Sequence, residues 1–557
     1  MTDPGADDGG VSRTIRQLGF VLAAALPVYF LYLGANSIWE ANEAFYVDTP
    51  RHMVETGDYI TPYWNGELRV NKPVLSYWIV AGLYQLFGVS VTVERVGIAI
   101  GAMGIVLAAF LVGRALRSTG TGVVAALIVA TAPRMVMFSR RIFIDIYITL
   151  FLALTLACFV MAERQPAHRR RYLLLMYVAI GLGMLTKGPV ALVLPALACA
   201  VWFTVEGRWS DLRRMGLVSG ALIVLAIVAP WYMALYARHG WGPVLGFFVG
   251  ENLDRYTTSM VPGDRNLLFY LPVLFGDLFP WAPLLLLPIV SAWRARTAGE
   301  EAPHAAIRRL LWIWIVVFVA VFSLSQTKQD LYIFPVVPAV AALVADALVA
   351  ARFGPGQPAM TLLIGVVSGL TVAGGGIAMW LFSSGYYQLV SIGPAALLLI
   401  LGGLVAVLGV AAGRSDRSVI VLAATFVVFN YVFVARVLPE LERFKPARPL
   451  AEEIVRRVSP TAELADYKGA LPPSLVYYVR RPVQRIGVLE HAESFFMSSR
   501  GSWLLVNESD YPELQAAIPG LCEVTRRRFF EAKTRNLLDG QPPPSLLLVT
   551  NQCGTNR

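Results

Sequence analysis

Long uncharged apolar runs recur along this 557-residue chain and limit what it can fold into. A helix of about 20 apolar residues spans the hydrocarbon layer of a bilayer, where backbone polar groups must be bonded internally. Candidate runs, several of them short, lie at residues 18–38, 96–116, 123–132, 146–161, 172–185, 190–205, 216–235, 267–290, 310–324, 331–350, 360–382, 395–410 and 420–434. We therefore predict a polytopic all-α membrane protein with about 13 transmembrane helices.

Composition and charge support this class. The chain is 56% hydrophobic and 15% charged, whereas soluble domains are about half apolar and about a quarter charged. Arginines recur at alternate ends of the apolar runs, so the bias of cytoplasmic loops toward cations explains the net charge of +10 without a nucleic-acid partner. The same bias places the N-terminus in the cytoplasm. An odd number of helices then places the C-terminal part on the outer side.

The remaining segments divide the chain into three parts. Residues 1–17 begin with an Asp/Gly-rich leader and are predicted to be a disordered cytoplasmic segment. Residues 18–436 form the transmembrane part, and residues 437–557 have the composition of a soluble domain. In that domain helix patterns at 450–458 and 473–479 alternate with strand patterns at 463–467, 503–506 and 545–550. This alternation predicts a small extracytoplasmic α/β domain.

The four cysteines fall into two pairs by location. Cys158 and Cys199 lie in apolar runs, where packing is their expected role. Cys522 and Cys553 lie in the C-terminal part, where an oxidising compartment would permit a disulfide. That pairing stays open at the level of sequence. The chain contains neither a CxxC motif nor a Cys/His spacing typical of a metal site.

The first outer loop, residues 38–94, combines acids, cations and aromatic side chains between two apolar runs. We predict a short amphipathic helix at 41–55 and a second juxtamembrane helix at 74–87, whose first turn suits Pro73. The segment between them is rich in turn residues, and Asn65-Gly66 is a strong turn signal. Solvent-exposed acidic and cationic residues at a membrane surface indicate a site where a charged lipid headgroup meets a polar molecule.

The sequence of this loop has a recognisable counterpart. The run NEAFYVDTPRHMVETGDYITPYWNGELRVNKPVLSYWIVAGLYQLFG, residues 42–88, resembles the first extracytoplasmic loop of the bacterial aminoarabinose transferases. Those enzymes belong with the protein O-mannosyltransferases to the GT-C class of lipid-phosphate-dependent glycosyltransferases. Four further segments match in order: RRIFIDIY at 140–147, LTKGPVALVLP at 185–195, ENLDRY at 251–256 and KQDLYIFPVVP at 328–338.

The resemblance implies a GT-C fold of 13 helices with an outer α/β domain, in the inner membrane of a bacterium. It implies transfer of a sugar from an undecaprenyl-phosphate type of donor to an extracytoplasmic acceptor, as in aminoarabinose transfer to lipid A, by an inverting single displacement. A protein hydroxyl or another glycan or lipid stays open as the acceptor. Outside the enzymes, the alternatives are a non-catalytic protein that binds lipid headgroups and a transporter.

Two acidic residues are candidates for catalysis. The Asp-Glu pair of the family corresponds to Asn42 and Glu43, so the first aspartate is missing. A carboxylate in a partly buried pocket can accept the proton of an attacking hydroxyl, and we expect Glu43 to do so; alternatively, it anchors an arginine at the base of the loop. Asp145 stands at the outer end of an apolar helix, where ionisable residues are costly and commonly functional. Its alternative is an ion pair with Arg140 or Arg141.

Cations on the outer side predict a phosphate site. The resemblance implies that Lys72 lies near the donor phosphate, where a compact charge stabilises the leaving group. Lys187, Arg255 and Lys328 are further candidates, and Tyr332 corresponds to a family tyrosine that could donate a hydrogen bond. Ordinary interfacial cations and a tyrosine of the aromatic belt are the alternatives.

The family often has a glutamate before this lysine and a histidine in a later loop, a pair that could hold a metal. Asn71 and Asn252 stand at these positions and are poor ligands for a borderline-soft divalent ion. We therefore predict no obligatory metal and no cofactor, with a divalent metal as the alternative. Asn42 and Asn71 then become candidates for substrate binding.

Overall fold

The computed structural model describes residues 8–258, 266–290, 304–351, 357–498, 502–529 and 541–552. Within these ranges eight helices are long and apolar enough to cross a membrane: Val91–Leu116, Ile144–Arg164, Leu217–His239, Ala305–Leu324, Asp330–Ala350, Pro358–Phe382, Ile392–Ala411 and Ser415–Phe444. The bent pair Leu267–Asp277 and Ala282–Val290 would be a ninth. Shorter apolar helices are Ile15–Tyr29, Leu75–Phe87, Thr119–Thr131 and Val190–Glu206. The helices Pro133–Phe138 and Arg169–Lys187 also belong to this part.

Every apolar run predicted from the sequence overlaps helical structure, so the all-helical class of this part is confirmed. The number of helices that span the membrane stays a prediction, because several of them are short. The leader prediction needs a correction, since the helix Asp8–Ala25 begins well before residue 17. Its apolar positions explain the early start: Leu18 is buried, and Ile15 packs closely against Gly120. Residues 1–7 lie outside the described ranges.

The helical bundle has an inner and an outer layer. Nearly nine-tenths of the most apolar window of Asp330–Ala350 is buried, against about a fifth of that of Ile392–Ala411. Small residues allow the inner helices to approach each other: a Cβ on Gly113 would lie 2.9 Å from the carbonyl oxygen of Thr121. Without a hydrophobic drive between helices in lipid, such close contact is a main source of association. The inner helices therefore form a rigid base for the outer loops.

The first outer loop contains two helices and a hairpin. The helix Asn42–Thr56 leads into strands β1 (Tyr63–Trp64) and β2 (Glu67–Leu68), and the helix Leu75–Phe87 follows. Asn65 and Gly66 both have positive φ, 53° and 80°, as a two-residue hairpin turn requires. The turn and both predicted helices of this loop are thus confirmed, each helix within one residue at its start.

The second outer loop is helical along residues 241–257. A short helix Trp241–Leu245 runs into the π-helical turn Gly246–Asp254 and then into Arg255–Thr257. The backbone N–H of Gln326 donates to the carbonyl of Tyr256 over 2.9 Å and joins this segment to the loop that follows the helix Ala305–Leu324. π-helical turns are rare and are frequently found at functional sites.

The C-terminal part is an α/β domain with a mixed five-stranded sheet in the order β4-β3-β5-β7-β6. Its strands are β3 (Leu464–Tyr467), β4 (Gln484–Ile486), β5 (Trp503–Asn507), β6 (Cys522–Arg528) and β7 (Ser545–Thr550). Its helices are Ala447–Arg457, Pro473–Val479, Leu489–Ser498 and Tyr511–Ala517. β3 is parallel to β4 and β5, whereas β7 is antiparallel to β5 and β6.

The predicted class of this domain is confirmed, and three of its five strands were anticipated. The sequence of β6 escaped detection because it is largely polar, with Arg526, Arg527 and Arg528 at its end. Cys522 takes part in a disulfide. Its predicted partner, Cys553, lies outside the described residues.

Polar contacts join the C-terminal domain to the first outer loop. The side-chain amide of Asn65 donates to the carbonyl of Val483 over 2.9 Å and accepts from its N–H over 2.8 Å. The hydroxyl of Tyr478 accepts from the N–H of Ile38 over 2.9 Å. The carboxylate of Glu40 accepts from the backbone N–H of Ser474 over 3.0 Å and also from its hydroxyl. The domain therefore holds the loop in place from outside.

Candidate active site

A cavity of about 540 Å³ lies where the first outer loop meets the ends of the inner helices and the π-helical turn. Its polar end contains Asn42, Arg69, Asn71, Lys72, Asp145, Lys187, Glu251, Asn252, Arg255, Gln329 and Tyr332. The rest of the wall is apolar and is formed mainly by Ile148, Leu152, Val193, Leu194, Phe318, Val321 and Phe322. The cavity is thus amphipathic, with a charged end beside a hydrocarbon surface.

Lys72 and Arg255 share one carboxylate at the polar end. The Nζ of Lys72 donates to Oε2 of Glu251 over 2.5 Å, and a guanidinium N–H of Arg255 donates to the same oxygen over 2.8 Å. Oε1 of Glu251 accepts from the side-chain amide of Asn71 over 2.9 Å. Lys72 also donates to the backbone carbonyl of Asn71 over 2.8 Å, which fixes its direction.

A second ion pair, between Asp145 and Lys187, lies at the same cavity. Asp145 is in the first turn of the helix Ile144–Arg164, and Lys187 is the last residue of the helix Arg169–Lys187. Acids at helix N-termini and cations at C-termini are favoured by the helix dipole. The Nζ of Lys187 also lies 4.7 Å from the ring centroid of Tyr332. Arg255 in turn interacts with the Tyr332 side chain.

Gly188 allows Lys187 to reach the site. Its φ of +90° lies in the left-handed region, and a Cβ there would stand 2.6 Å from the ring of Phe247. The close approach brings the end of one helix against the π-helical turn. Both the positive φ and the close contact with Phe247 therefore require a glycine at this position of the TKGP motif.

Burial and neighbouring charges set the ionisation of the polar end. Burial lowers the pKa of Lys72 to about 8; Glu251 raises this value, whereas Arg255 and Lys187 lower it. For Glu251 burial acts to raise the pKa, but the charges of Lys72 and Arg255 outweigh burial and bring it below its ordinary value. Four cationic and two acidic side chains line the cavity. The described lining therefore carries an excess of two positive charges at neutral pH.

Glu43 is placed differently from the prediction. It does not line the cavity, because its side chain is fully buried against Arg95, with Nε and NH2 at 2.8 and 2.9 Å from its two oxygens. The backbone N–H groups of Trp39 and Ile142 donate to the same carboxylate over 2.7 and 3.2 Å. These four donors leave little room for a substrate proton. The arrangement corresponds to the alternative interpretation, in which Glu43 anchors an arginine at the base of the loop.

Lys328 is the second predicted residue outside the cavity. It is buried, and its Nζ donates to the backbone carbonyl of Ser325 over 2.7 Å. The turn after the helix Ala305–Leu324 directs this side chain back toward its own backbone, whereas Tyr332, one turn later, faces the cavity. The alternative considered for Asp145 is wrong as well, because Asp145 pairs with Lys187. Arg140 donates instead to the carbonyl of Val28 over 3.0 Å.

Comparisons with known proteins agree with this architecture. Residues 71–233 match the family model described as dolichyl-phosphate-mannose-protein mannosyltransferase. An uncharacterised protein of Aquifex aeolicus is 26% identical over 84% of this chain and 87% of its own length. The undecaprenyl phosphate-alpha-4-amino-4-deoxy-L-arabinose arabinosyl transferase of Pseudomonas aeruginosa (strain UCBPP-PA14) is 30% identical over 60% of each chain.

Among solved structures, ArnT from Cupriavidus metallidurans bound to undecaprenyl phosphate superposes with a TM-score of 0.80 and 22% identity, covering 97% of this chain and 98% of that chain. The chain therefore has the fold of ArnT, and its sequence is similar to that of the arabinosyl transferases. The eight long apolar helices of the described ranges fit a multi-pass membrane protein. The sequence alignment spans about 60% of the length of the curated arabinosyl transferase.

The cavity contains most of the residues that the sequence analysis singled out. Of the nine predicted site residues, seven line the cavity: Asn42, Asn71, Lys72, Asp145, Lys187, Arg255 and Tyr332. Glu251 and Arg69 were not among these nine residues, although both contribute charge to the polar end. Glu251 stands in the ENLDRY segment that carries the family resemblance, and its position four residues before Arg255 was the available signal.

The departures from the family pattern bear on metal binding. The side-chain amide of Asn71 donates to Glu251, and that of Asn252 donates to the carbonyl of Phe247 over 2.8 Å. Both asparagines thus use their nitrogen atoms as donors to protein groups. In the described ranges no group of three or more His, Cys, Asp or Glu side chains has a geometry that could hold a metal. That the protein needs no metal stays a prediction.

Proposed function

We propose that this protein is a GT-C glycosyltransferase that moves a sugar from a polyprenyl-phosphate donor, of the undecaprenyl-phosphate type, to an extracytoplasmic acceptor. The observation that carries the proposal is the amphipathic cavity, whose cationic end adjoins an apolar wall. A lipid phosphate has the same two parts, an anionic head and a hydrocarbon chain. The structurally similar ArnT was crystallised with undecaprenyl phosphate, which supports this choice of donor.

The apolar wall suits the first isoprene units of the lipid. Ile148 and Leu152 lie on one inner helix, and Phe318 and Phe322 lie on another. Val193 is about half exposed on the bundle surface, so the cavity reaches the side where lipid would lie. The surrounding lipid is as apolar as this wall, so the tail gains little hydrophobic energy by entering the cavity, and close packing against these side chains places the phosphate.

The polar end suits the departure of a phosphate. In a single displacement the acceptor oxygen forms a bond to the anomeric carbon while the bond from that carbon to the donor phosphate breaks, with inversion. The leaving phosphate gains one negative charge, and Lys72, Arg255 and Tyr332 are in place to stabilise it. Cations fixed where charge develops lower the barrier more than they stabilise the bound donor. The excess of two positive charges fits the released phosphate.

Asp145 takes the role of general base in this proposal, since Glu43 is committed to Arg95. For a hydroxyl acceptor, Asp145 would accept the proton as the new bond forms, after Lys187 shifts toward the donor phosphate. A phosphate acceptor, such as that of lipid A, is already ionised and needs no base. The name of the Pseudomonas aeruginosa relative supports aminoarabinose as the sugar.

Topology is part of the same proposal. With the N-terminus in the cytoplasm, about 13 spanning helices and the α/β domain in the periplasm, the cavity opens on the outer side of the inner membrane. The arginine distribution supports this orientation. An acceptor on the outer side would then reach Asp145 and Asn42 directly, while the donor enters from the lipid.

Transfer can be tested with purified protein in detergent, short-chain polyprenyl-phosphate sugars and candidate acceptors, with products identified by mass spectrometry. We expect transfer by the wild type and by Glu55→Gln, a control that removes an exposed carboxylate outside the cavity. Lys72→Ala should abolish transfer. Full transfer by Lys72→Ala would contradict the mechanism, and donor binding without transfer to any acceptor would favour a non-catalytic binding protein.

A further inference from the structure

The Glu251 carboxylate occupies the centre of the cationic end of the cavity. It accepts hydrogen bonds from Lys72, Arg255 and Asn71 over 2.5, 2.8 and 2.9 Å, so both of its oxygens are engaged. The side chains of Lys72 and Glu251 are only 13% and 14% exposed. Both side chains line the cavity.

Carboxylate and phosphate oxygens are recognised by the same donors. Guanidinium and ammonium groups bind either anion through short charge-assisted hydrogen bonds. The Nε of Arg255 is buried and has no hydrogen-bond partner in the part of the chain that the structure describes. One donor beside Glu251 is therefore open, while the stronger ones are occupied. Two anions at this distance would repel, so the site holds one of them on these cations at a time.

We propose that Glu251 is the resident counter-ion of the phosphate site, and that the lipid phosphate binds by taking its place on Lys72 and Arg255. The proposal rests on the function proposed above. Glu251 keeps the cations paired while the cavity is empty. After transfer, Glu251 competes with the released polyprenyl phosphate for Lys72 and Arg255. The released phosphate carries more charge than the donor, and this competition speeds its release.

Two physical consequences follow for a variant that lacks this carboxylate. The phosphate no longer competes with an internal anion, so polyprenyl phosphate binds more tightly. The released phosphate is then retained, so kcat and KM for the donor both fall. If Glu251 had only a structural role, its removal would instead weaken the binding of polyprenyl phosphate. Glu251 also raises the pKa of Lys72, which burial lowers, so the comparison belongs at a pH well below 8.

The test is calorimetric titration of purified protein with a short-chain polyprenyl phosphate that carries no sugar, at pH 6.0. We expect E251Q to bind about fivefold to tenfold more tightly than the wild type, as removal of a competing ion pair worth about 1.0–1.4 kcal/mol would give. E251D, which shortens the side chain by one methylene group, should bind with intermediate affinity. E55Q, which removes a carboxylate bonded to Arg51 outside the cavity, should bind like the wild type.

Wild-type or weaker binding by E251Q, with an unchanged gel-filtration profile, would overturn the proposal. If E251Q does not fold, E251D decides the question in the same titration, since affinity no tighter than wild type overturns it equally. A wild type that binds no polyprenyl phosphate would refute the donor assignment, and this proposal with it. Steady-state kinetics adds a second readout, because kcat and KM for the donor should both fall in E251Q.

Discussion

Replacement of Glu43 distinguishes the two roles that the sequence left open for this residue: general base in catalysis, or anchor of an arginine at the base of the loop. In the structure the Glu43 carboxylate and the Arg95 guanidinium are almost completely buried, with 0% and 2% of their side chains exposed. Arg95 also donates to the backbone carbonyls of Leu33, Asn36 and Ser37 over 2.7, 2.9 and 3.0 Å. Loss of Glu43 would therefore leave a buried cation with carbonyl partners only.

The expected cost is large. Breaking a buried ion pair by removing one partner typically costs about 3–5 kcal/mol, because the other charge is left uncompensated. Glu43→Ala should lie in this range, and Glu43→Gln should cost less, since one amide oxygen can still accept from Arg95. Glu55→Gln provides a control, because the Glu55 side chain is about half exposed and its buried partner Arg51 keeps a second carboxylate, that of Asp48. Glu55→Gln should therefore leave the stability nearly unchanged.

The assay is the midpoint of thermal unfolding in detergent, followed by tryptophan fluorescence and measured beside transfer activity. We expect the midpoint to fall in the order wild type, Glu43→Gln, Glu43→Ala, with activity lost in proportion to unfolded protein. Double replacement of Glu43 and Arg95 by methionine should recover part of the loss. A Glu43→Gln protein with the wild-type midpoint and no transfer would refute this reasoning and restore Glu43 as the base.

Three further predictions concern the cavity and the C-terminal domain. Asp145→Asn should reduce transfer to a hydroxyl acceptor by about 10²–10⁴-fold, measured by mass spectrometry, and should retain polyprenyl-phosphate binding, measured by calorimetry. Equal losses of transfer and binding would show that Asp145 is not the general base. Because the pKa of Lys72 is about 8, this lysine is cationic below that pH and neutral above it, so affinity for polyprenyl phosphate should fall as pH rises through about 8. Lys72→Arg should show no such loss of affinity in titrations between pH 6 and 9.5. If the loss persists in this variant, a group other than Lys72 causes it. Asn65→Ala removes two hydrogen bonds to Val483, at about 1 kcal/mol each, and should make the C-terminal domain more susceptible to limited trypsin digestion; wild-type resistance would contradict the proposed contact.

The sequence by itself determined the helical class and much of the first outer loop. Apolar runs form helices wherever backbone groups must be satisfied internally, so their positions follow from composition alone. The Asn65-Gly66 turn is equally local, because both residues adopt positive φ at little cost. The motifs also named most residues of the polar end, including Lys72, Asp145, Lys187 and Arg255. These features depend on residue type and on short-range spacing.

Only the tertiary structure decided which charge meets which. Glu43 pairs with an arginine 52 positions away, Asp145 with a lysine 42 positions away, and Lys72 with a glutamate 179 positions away. A buried carboxylate bonded to four donors and a carboxylate facing a cavity look alike in sequence, because both are single acids beside apolar residues. Their roles differ because ionic interactions depend on distance and burial in space, and the packing of helices and loops sets both.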